Sequence, residues 1–381
     1  MGYRGKNWGA ELSTFTDATT GVEITRLTSY KAHHHHLYFT NPGWYDSNKK
    51  IVISGERENV ANLFSLCLQS GETIQITDLQ PIPGKDFNLL NTCLNPVSDE
   101  VCYWYNGSLW ATSLKTYEQR RLWTLPPKQN LGMPNVTCDG KYILFCMTED
   151  ATDRLNLNLD YGYVGFDEYF ALQPLSQIVR IPTDGSGDAD ILLAQNVWLS
   201  HLNTSPTIPN HLTFCHEGPW HKIENRIWSM DTNTGKFQPL RQRRSAEEII
   251  GHEYWFACGT RIGYHGHLDG KNFLGSMKFD GTDIVEGEFP HDTVHVHSNS
   301  RDLAVGDGKH DVLLWKWNGT GYDSPRILCR HGGSMHIQAT HVHPRISPCN
   351  SYAIYVSDAS GYGAPHIAKL PADVTSLPFA Q

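Results

Sequence analysis

NPVSDEVCYWY, residues 95–105, carries the pattern on which the chain is built: a turn rich in Asn, Pro, Ser and Asp runs straight into the short apolar strand Val101-Cys-Tyr-Trp-Tyr. Asn, Asp and Ser fold back on their own backbone and Pro presets a turn dihedral, so the first half bends. Aromatic and β-branched residues suit a pleated, half-buried surface, so the second half extends. The same turn-then-strand unit recurs six more times, with strands beginning at Ile51, Tyr142, Leu212, Ile262, Leu303 and Ala353. The starts are spaced by roughly 40 to 70 residues, the range of propeller and array repeats.

A second strand pair follows most of these units, as in Leu63-Phe-Ser-Leu, Ser70-Gly-Glu and Thr73-Ile-Gln-Ile. Four strands per repeat make one propeller blade. The sequence therefore predicts an all-β, seven-bladed β-propeller formed by residues 1–381 as a single domain. Two stacked β-sandwiches are the competing arrangement. The seventh repeat ends one strand short after Ala368-Lys-Leu, and Thr16–Leu27 reads as the last strand pair of a blade. An N-terminal strand is thus expected to complete the last blade, which removes an open sheet edge. Helical periodicity is nearly absent, with Ser245–Ile250 the best candidate. The longest gap between repeats holds Asp153–Glu168, expected to be a surface insertion.

Composition narrows the class of protein. The 40 acidic against 31 basic residues give a net charge of -9, which argues against a nucleic-acid partner, since phosphate binding needs a basic face. No segment approaches the 18 continuous apolar residues of a membrane span, and Met1–Thr14 has no apolar run of a secretory signal. The nine cysteines form no CxxC pair and several sit inside strand-like runs, as in Ile143-Leu-Phe-Cys146. Buried free thiols in a reducing compartment account for this, so a cytoplasmic location is expected.

Twenty histidines are the chemical signature of the chain. In Gln338-Ala-Thr-His341-Val-His343, an extended strand would point His341 and His343 to one face, and a bend would let Gln338 join them. Two imidazoles and an amide oxygen suit a divalent ion such as Mn, Co, Ni or Zn; a polar strand facing water is the alternative. Three further groups are His291, His295 and His297; His216-Glu-Gly-Pro-Trp-His221 with Arg226 and Trp228; and Gly251-His252-Glu253-Tyr-Trp255. In a propeller these fall on different blades near the strand lining the channel, where they can converge. Phosphate-binding loops, GxSxG, HExxH and dinucleotide fingerprints are missing. Gly306 and Gly308 around Asp307 read as a turn and nothing more specific.

Taken together, Phe214-Cys-His-Glu-Gly-Pro-Trp-His with Arg226-Ile-Trp, Gly251-His-Glu-Tyr-Trp, His297-Ser-Asn and Gln338-x-x-His341-x-His343-Pro resemble the oligogalacturonate lyases. The opening Asp17-Ala-Thr-Thr-Gly-Val-Glu-Ile-Thr-Arg-Leu-Thr is similar too. The resemblance implies a seven-bladed propeller, a manganese ion held by three His and one Gln, and cleavage of short pectin fragments. Carried over by motif, the ligands are Gln338, His341, His343 and His297, with His295 the other choice for the last. The run His33–His36 before Leu37-Tyr-Phe departs from the family pattern.

Such a lyase removes the C5 proton of a uronate and breaks the C4–O bond. His252 is the expected base, Arg226 the cation that binds the acidic sugar, and His216 a second base candidate. Trp220, Trp255 and Tyr38 are candidate stacking surfaces for the sugar. Two other classes compete: a non-catalytic scaffold, and a metal-dependent hydrolase of a glycan or lactone. The hydrolase reading wants more acids than Glu217, Glu253 and Asp292, the only ones inside the clusters.

Overall fold

Each of the seven apolar runs forms the second strand of its own antiparallel sheet: Lys50–Arg57, Glu100–Tyr105, Tyr142–Glu149, His211–His216, Arg261–Leu268, Leu303–Asp307 and Tyr352–Ser357. The computed structural model describes residues 2–83, 89–159 and 162–380. The seven sheets stand in a ring as the blades of a β-propeller, not as two sandwiches. The first strands of blades 2 and 3, 3 and 4, 4 and 5, and 6 and 7 contact one another.

Local sequence explains the strands. In blade 2, Glu100–Tyr105 pairs with Ser108–Ser113 across Asn106-Gly107, whose φ angles are 47° and 70°. Both central residues of a tight hairpin turn need positive φ, which Asn-Gly supplies. Lys50–Arg57 is buried along almost its whole length because a blade packs on neighbours through both faces. Each of the seven joints has its own apolar cluster. Leu37, Val52 and Leu63 meet Val101 and Tyr103 between blades 1 and 2, for instance, and Ile51, Ile53 and Phe64 meet Leu27 and Ile354 between blades 1 and 7.

The N-terminal arm spans three blades. Ser13–Thr16 and Glu23–Arg26 form a hairpin, and Glu23–Arg26 pairs with Ala364–Lys369 as the fourth strand of blade 7. In the hairpin turn, Asp17 accepts the Arg330 amide at 2.9 Å and the Thr20 hydroxyl donates to the Leu328 carbonyl at 2.9 Å, both on blade 6. Upstream, Asn7–Ala10 adds an outer strand to blade 1. Glu11 there accepts two hydrogen bonds from the buried Arg57, at 2.8 and 3.2 Å.

The histidine run belongs to this latch. His34–His36 is the innermost strand of blade 1. Arg57 Nε donates to His34 Nε2 at 3.1 Å, and the guanidinium stacks over Tyr30 at 4.6 Å. The His34 ring lies so close to Gly55 that a Cβ there would sit 2.1 Å from it.

One expectation needs correction. Ser245–Ile250 is a turn running into the strand Ile249–Trp255, because Glu248 binds Arg241 at 2.7 Å and the Arg244 amide at 2.6 Å and pulls the loop out of helical shape. The one α-helix among the described residues is Phe166–Leu172, between the second and third strands of blade 3. Of the expected insertion Asp153–Glu168, Asp160 and Tyr161 lie outside the described residues.

Deleting residues 1–27 is expected to lower the melting temperature of the whole domain, since it removes the fourth strand of blade 7 and the Glu11 partner of Arg57; an unchanged melting curve would refute this. Acid should act through buried imidazoles. Burial pulls His34, His35 and His366 down to about 4 and His36 to about 3. Unfolded histidines bind protons below about pH 6.5, and the native rings refuse them until much lower, so stability falls as pH drops through that window. The melting temperature should hold near pH 7 and decline steadily from about pH 6.5 to 4.5. A flat profile would contradict the assignment.

Candidate metal centre and active site

The innermost strands and the loops beside them bring histidines from several blades to one mouth of the channel. His295 precedes the first strand of blade 6, and His341 and His343 precede that of blade 7. One ring nitrogen from each lies within 4.8 Å of the other two. His343 is buried, and neither its Nε2 nor His341 Nδ1 has a hydrogen-bond partner. Burial first, then neighbouring His295, holds the pKa of both His341 and His343 below the ordinary histidine value, so both are neutral at pH 7. Neutral, converging imidazoles with unpartnered nitrogens are the donor set a divalent transition ion takes. The residues present therefore fit such an ion.

Asp307 orients the set. Its Oδ2 lies 2.6 Å from His295 Nδ1, and its Oδ1 accepts the amides of Val294 and His295 at 2.9 and 2.7 Å. A carboxylate on one ring nitrogen fixes the tautomer and leaves the other for a metal. Asp307 is thus more than part of a glycine turn.

This anchoring fixes His295 rather than His297 in the three-histidine group. His297, expected beside Gln338, is outside the three-histidine group; its ring lies 5.2 Å from that of Tyr254. The bend expected at Gln338 is a 3₁₀ turn, Gln338–Thr340, whereas the extended strand expected through His341 and His343 is not formed, His343 having φ 43°. The turn still brings His341 and His343 together, with ring centroids 5.4 Å apart.

His252 lies beside this group, with its ring 5.1 Å from that of His295. It lines a cavity of about 350 Å³ together with Trp220, His265, Asn272 and His291. Its Nδ1 is 2.9 Å from His265 Nε2, and the two rings stack at 5.2 Å and 6°. The remaining nitrogen, Nε2, is the one left for chemistry. Burial, then the neighbours His295, His265 and Arg226, press its pKa well below the ordinary value.

Arg226 is near, but its guanidinium is already engaged. Nη1 donates to Glu217 at 3.0 Å and Nε to Glu253 at 3.3 Å, all three being buried. His201, which no motif signalled, lies 3.3 Å from the other Glu217 oxygen and edges against Tyr38 and His252. His216 is not brought to the site: its ring stacks on Trp228 at 4.5 Å. Strand alternation explains this, because Cys215 faces Glu217 and its neighbour must face away. Trp255 is a core residue donating to the Asn203 carbonyl. Tyr38 is buried against His343 at 5.1 Å, while Trp220 stays half-exposed in the cavity wall. His265, His201, Phe39 and Asp307 are the members that sequence reasoning missed. They belong to none of the four histidine clusters read from the sequence, and only folding shows what they face.

Fold and site together define a propeller with a histidine group able to hold a metal ion at its channel mouth, flanked by a buried imidazole pair and a cavity of about 350 Å³. The chain belongs to the oligogalacturonate lyase family, whose model matches residues 2–325. It is similar to the oligogalacturonate lyase of Dickeya dadantii, 24% identical and covering 97% of this chain and 99% of that protein. It is also similar to the oligogalacturonide lyase of Pectobacterium atrosepticum, 24% identical over 95% and 96%. Among solved structures it resembles an oligogalacturonate lyase in complex with manganese (23% identity, 98% and 99% coverage, TM-score 0.86). It likewise resembles the enzyme of Vibrio parahaemolyticus (20% identity, 97% and 100% coverage, TM-score 0.86).

The grouping makes a specific prediction. His295→Ala and His343→Ala should lose the bound divalent ion, measured as metal per chain after dialysis against manganese, whereas His297→Ala should keep it. Retention by the first two, or loss only in the third, would reverse the ligand choice.

Proposed function

We propose that this lyase cleaves short galacturonate oligosaccharides by β-elimination, with one divalent ion, manganese foremost, held by His295, His341 and His343 and by the Gln338 amide oxygen. The observation that carries the reading is His252: a neutral imidazole fixed at Nδ1 by His265, lining the cavity beside the three-histidine group. When bound, the ion supplies Lewis acidity to the uronate carboxylate and so stabilises charge that develops next to C5.

His252 Nε2 takes the C5 proton. The C5 electron pair becomes the C4=C5 double bond, the C4–O bond breaks, and the departing oxygen takes a proton from solvent water and leaves as a hydroxyl. A base for this step must be unprotonated near pH 7, and burial with the Arg226 charge nearby keeps His252 so. For Nε2 to accept, Nδ1 must carry the hydrogen and donate it to His265, which also steadies the imidazolium that forms. Glu217 and Glu253 fix Arg226, and any contact it makes with the acidic sugar is made from that position. Trp220 offers the apolar face for stacking.

The nine free cysteines support a reducing compartment, and we place the protein in the cytoplasm. No helix of the described residues is long and apolar enough to cross a membrane.

His252→Asn should retain its metal and lower turnover of digalacturonate by roughly 10²–10⁴-fold, the usual loss for a missing general base. Ultraviolet absorbance of the product tests the reaction class, because elimination alone conjugates the new double bond. Reducing ends formed without that absorbance would mean hydrolysis, and near-normal turnover in His252→Asn would move the base elsewhere.

A further inference from the structure

The cavity that His252 lines extends beyond the imidazole pair. His265 stacks on His252 at one end. Side chains two residues apart on a strand share a face, so His267 lines the same cavity about 7 Å further along Arg261–Leu268. That strand turns through Asp269-Gly270, whose φ angles are 51° and 76°, into Lys271–Lys278. The turn sets His267 directly opposite Asn272, and Asp292 comes in from the loop that enters blade 6.

These three side chains form a directed chain of hydrogen bonds. Asn272 Nδ2 donates to Asp292 Oδ1 at 2.7 Å and to the His291 carbonyl at 3.2 Å. A carboxylate and a carbonyl only accept, so the amide nitrogen faces them and Asn272 Oδ1 faces His267, 2.9 Å from its Nδ1. An amide oxygen cannot donate, so His267 Nδ1 carries the hydrogen. The neutral ring then keeps its acceptor lone pair at Nε2. Asp292 and Asn272 thus fix both the orientation and the tautomer of His267.

Charge indicates what this part of the cavity takes. Among the described residues that line it, Asp292 is the one acid and there is no Lys or Arg. A uronate carboxylate placed here would meet Asp292 without a cation. Hydroxyls, by contrast, can donate to His267 Nε2 and to the Asp292 carboxylate.

We infer that His267, held by Asn272 and Asp292, determines specificity for the second sugar of the substrate, the one joined through the C4–O bond that breaks. Nε2 accepts the hydrogen of one of its hydroxyls, and its carboxylate points to solvent. The inference rests on the lyase reading above, in which the first uronate lies against the three-histidine group and His252.

Binding to the full chain carrying His252→Asn and loaded with manganese tests it, because there the substrate survives a calorimetric titration. Adding His267→Phe should raise the Kd of digalacturonate by about three- to tenfold, the range for one lost hydrogen bond. The Kd of galacturonate itself should not change, since the monomer fills the place beside the three histidines. His267→Gln should recover most of the loss, because its amide oxygen can accept where Nε2 did. Asp292→Asn should leave digalacturonate binding no tighter. An unchanged digalacturonate Kd in His267→Phe, an equal loss for the monomer, no recovery in His267→Gln, or tighter binding in Asp292→Asn would each overturn the inference. Should His267→Phe not fold, Asn272→Leu, which frees the ring without removing it, should give the same loss for digalacturonate alone, and an unchanged Kd there would be equally decisive against it. Failure of the lyase reading would show separately, as wild-type protein that forms no ultraviolet-absorbing product.

Discussion

Ring closure is the constraint on which everything else rests. A blade buries apolar residues on both faces, and each face finds cover only in the neighbouring blade. Seven joints, each with its own cluster, therefore form one cooperative circle. Six of them join blades that follow one another in sequence. The seventh must join the last blade to the first, and there the chain adds polar anchors to its apolar packing. Asp17 reaches the Arg330 amide, and Glu11 reaches the Arg57 guanidinium, which in turn holds His34. A buried, doubly bonded ion pair is directional in a way that apolar packing is not, so it sets the register of the arm as well as its contact.

Closure also makes the site possible. The channel mouth is the place where all blades present the ends of their first strands, so side chains far apart in sequence become neighbours. The backbone there departs from strand geometry: His201, His252 and His343 have φ angles of 43°, 52° and 43°. Left-handed backbone costs roughly 1–2 kcal/mol for a non-glycine residue, and it persists where the surroundings over-determine it. Here the surroundings are Glu217 on His201, His265 on His252, and Phe39 and Tyr38 on His343. The site is thus held by partners outside the reacting groups, which keeps imidazoles aimed inward that regular strands would point elsewhere.

What could be read from the sequence follows from this division. The blades were legible because burial on two faces demands unbroken apolar runs, and tight turns demand Asn, Asp, Gly and Pro; Val101–Tyr105 with Asn106-Gly107 shows both. The clusters around His252, His295 and His341 were legible as local enrichment. Pairing across blades was not. Nothing near Asp307 announces that its carboxylate will capture the Val294 and His295 amides and so fix His295 rather than His297 in the three-histidine group. Alternation along an ideal strand also gave His341–His343 an extended shape that the left-handed backbone of His343 replaces. Arg226 looked available to a substrate because Glu217 and Glu253 lie 9 and 27 residues from it in sequence.

The N-terminal arm has one more consequence, which concerns time. Asp17 and Arg330 are 313 residues apart. At a synthesis rate of about 5–20 residues per second, the arm leaves the ribosome some tens of seconds before its partner exists. Throughout that interval Ile24, almost fully enclosed in the finished protein, lacks the blade 7 strand Ala364–Lys369 that pairs with its other edge, and the growing edge of the last completed blade is open too. The nascent chain is an open arc with two sticky ends, one of which stays unpaired from the first moments of translation to the last. Whatever shields such ends in the cell acts on this segment longest.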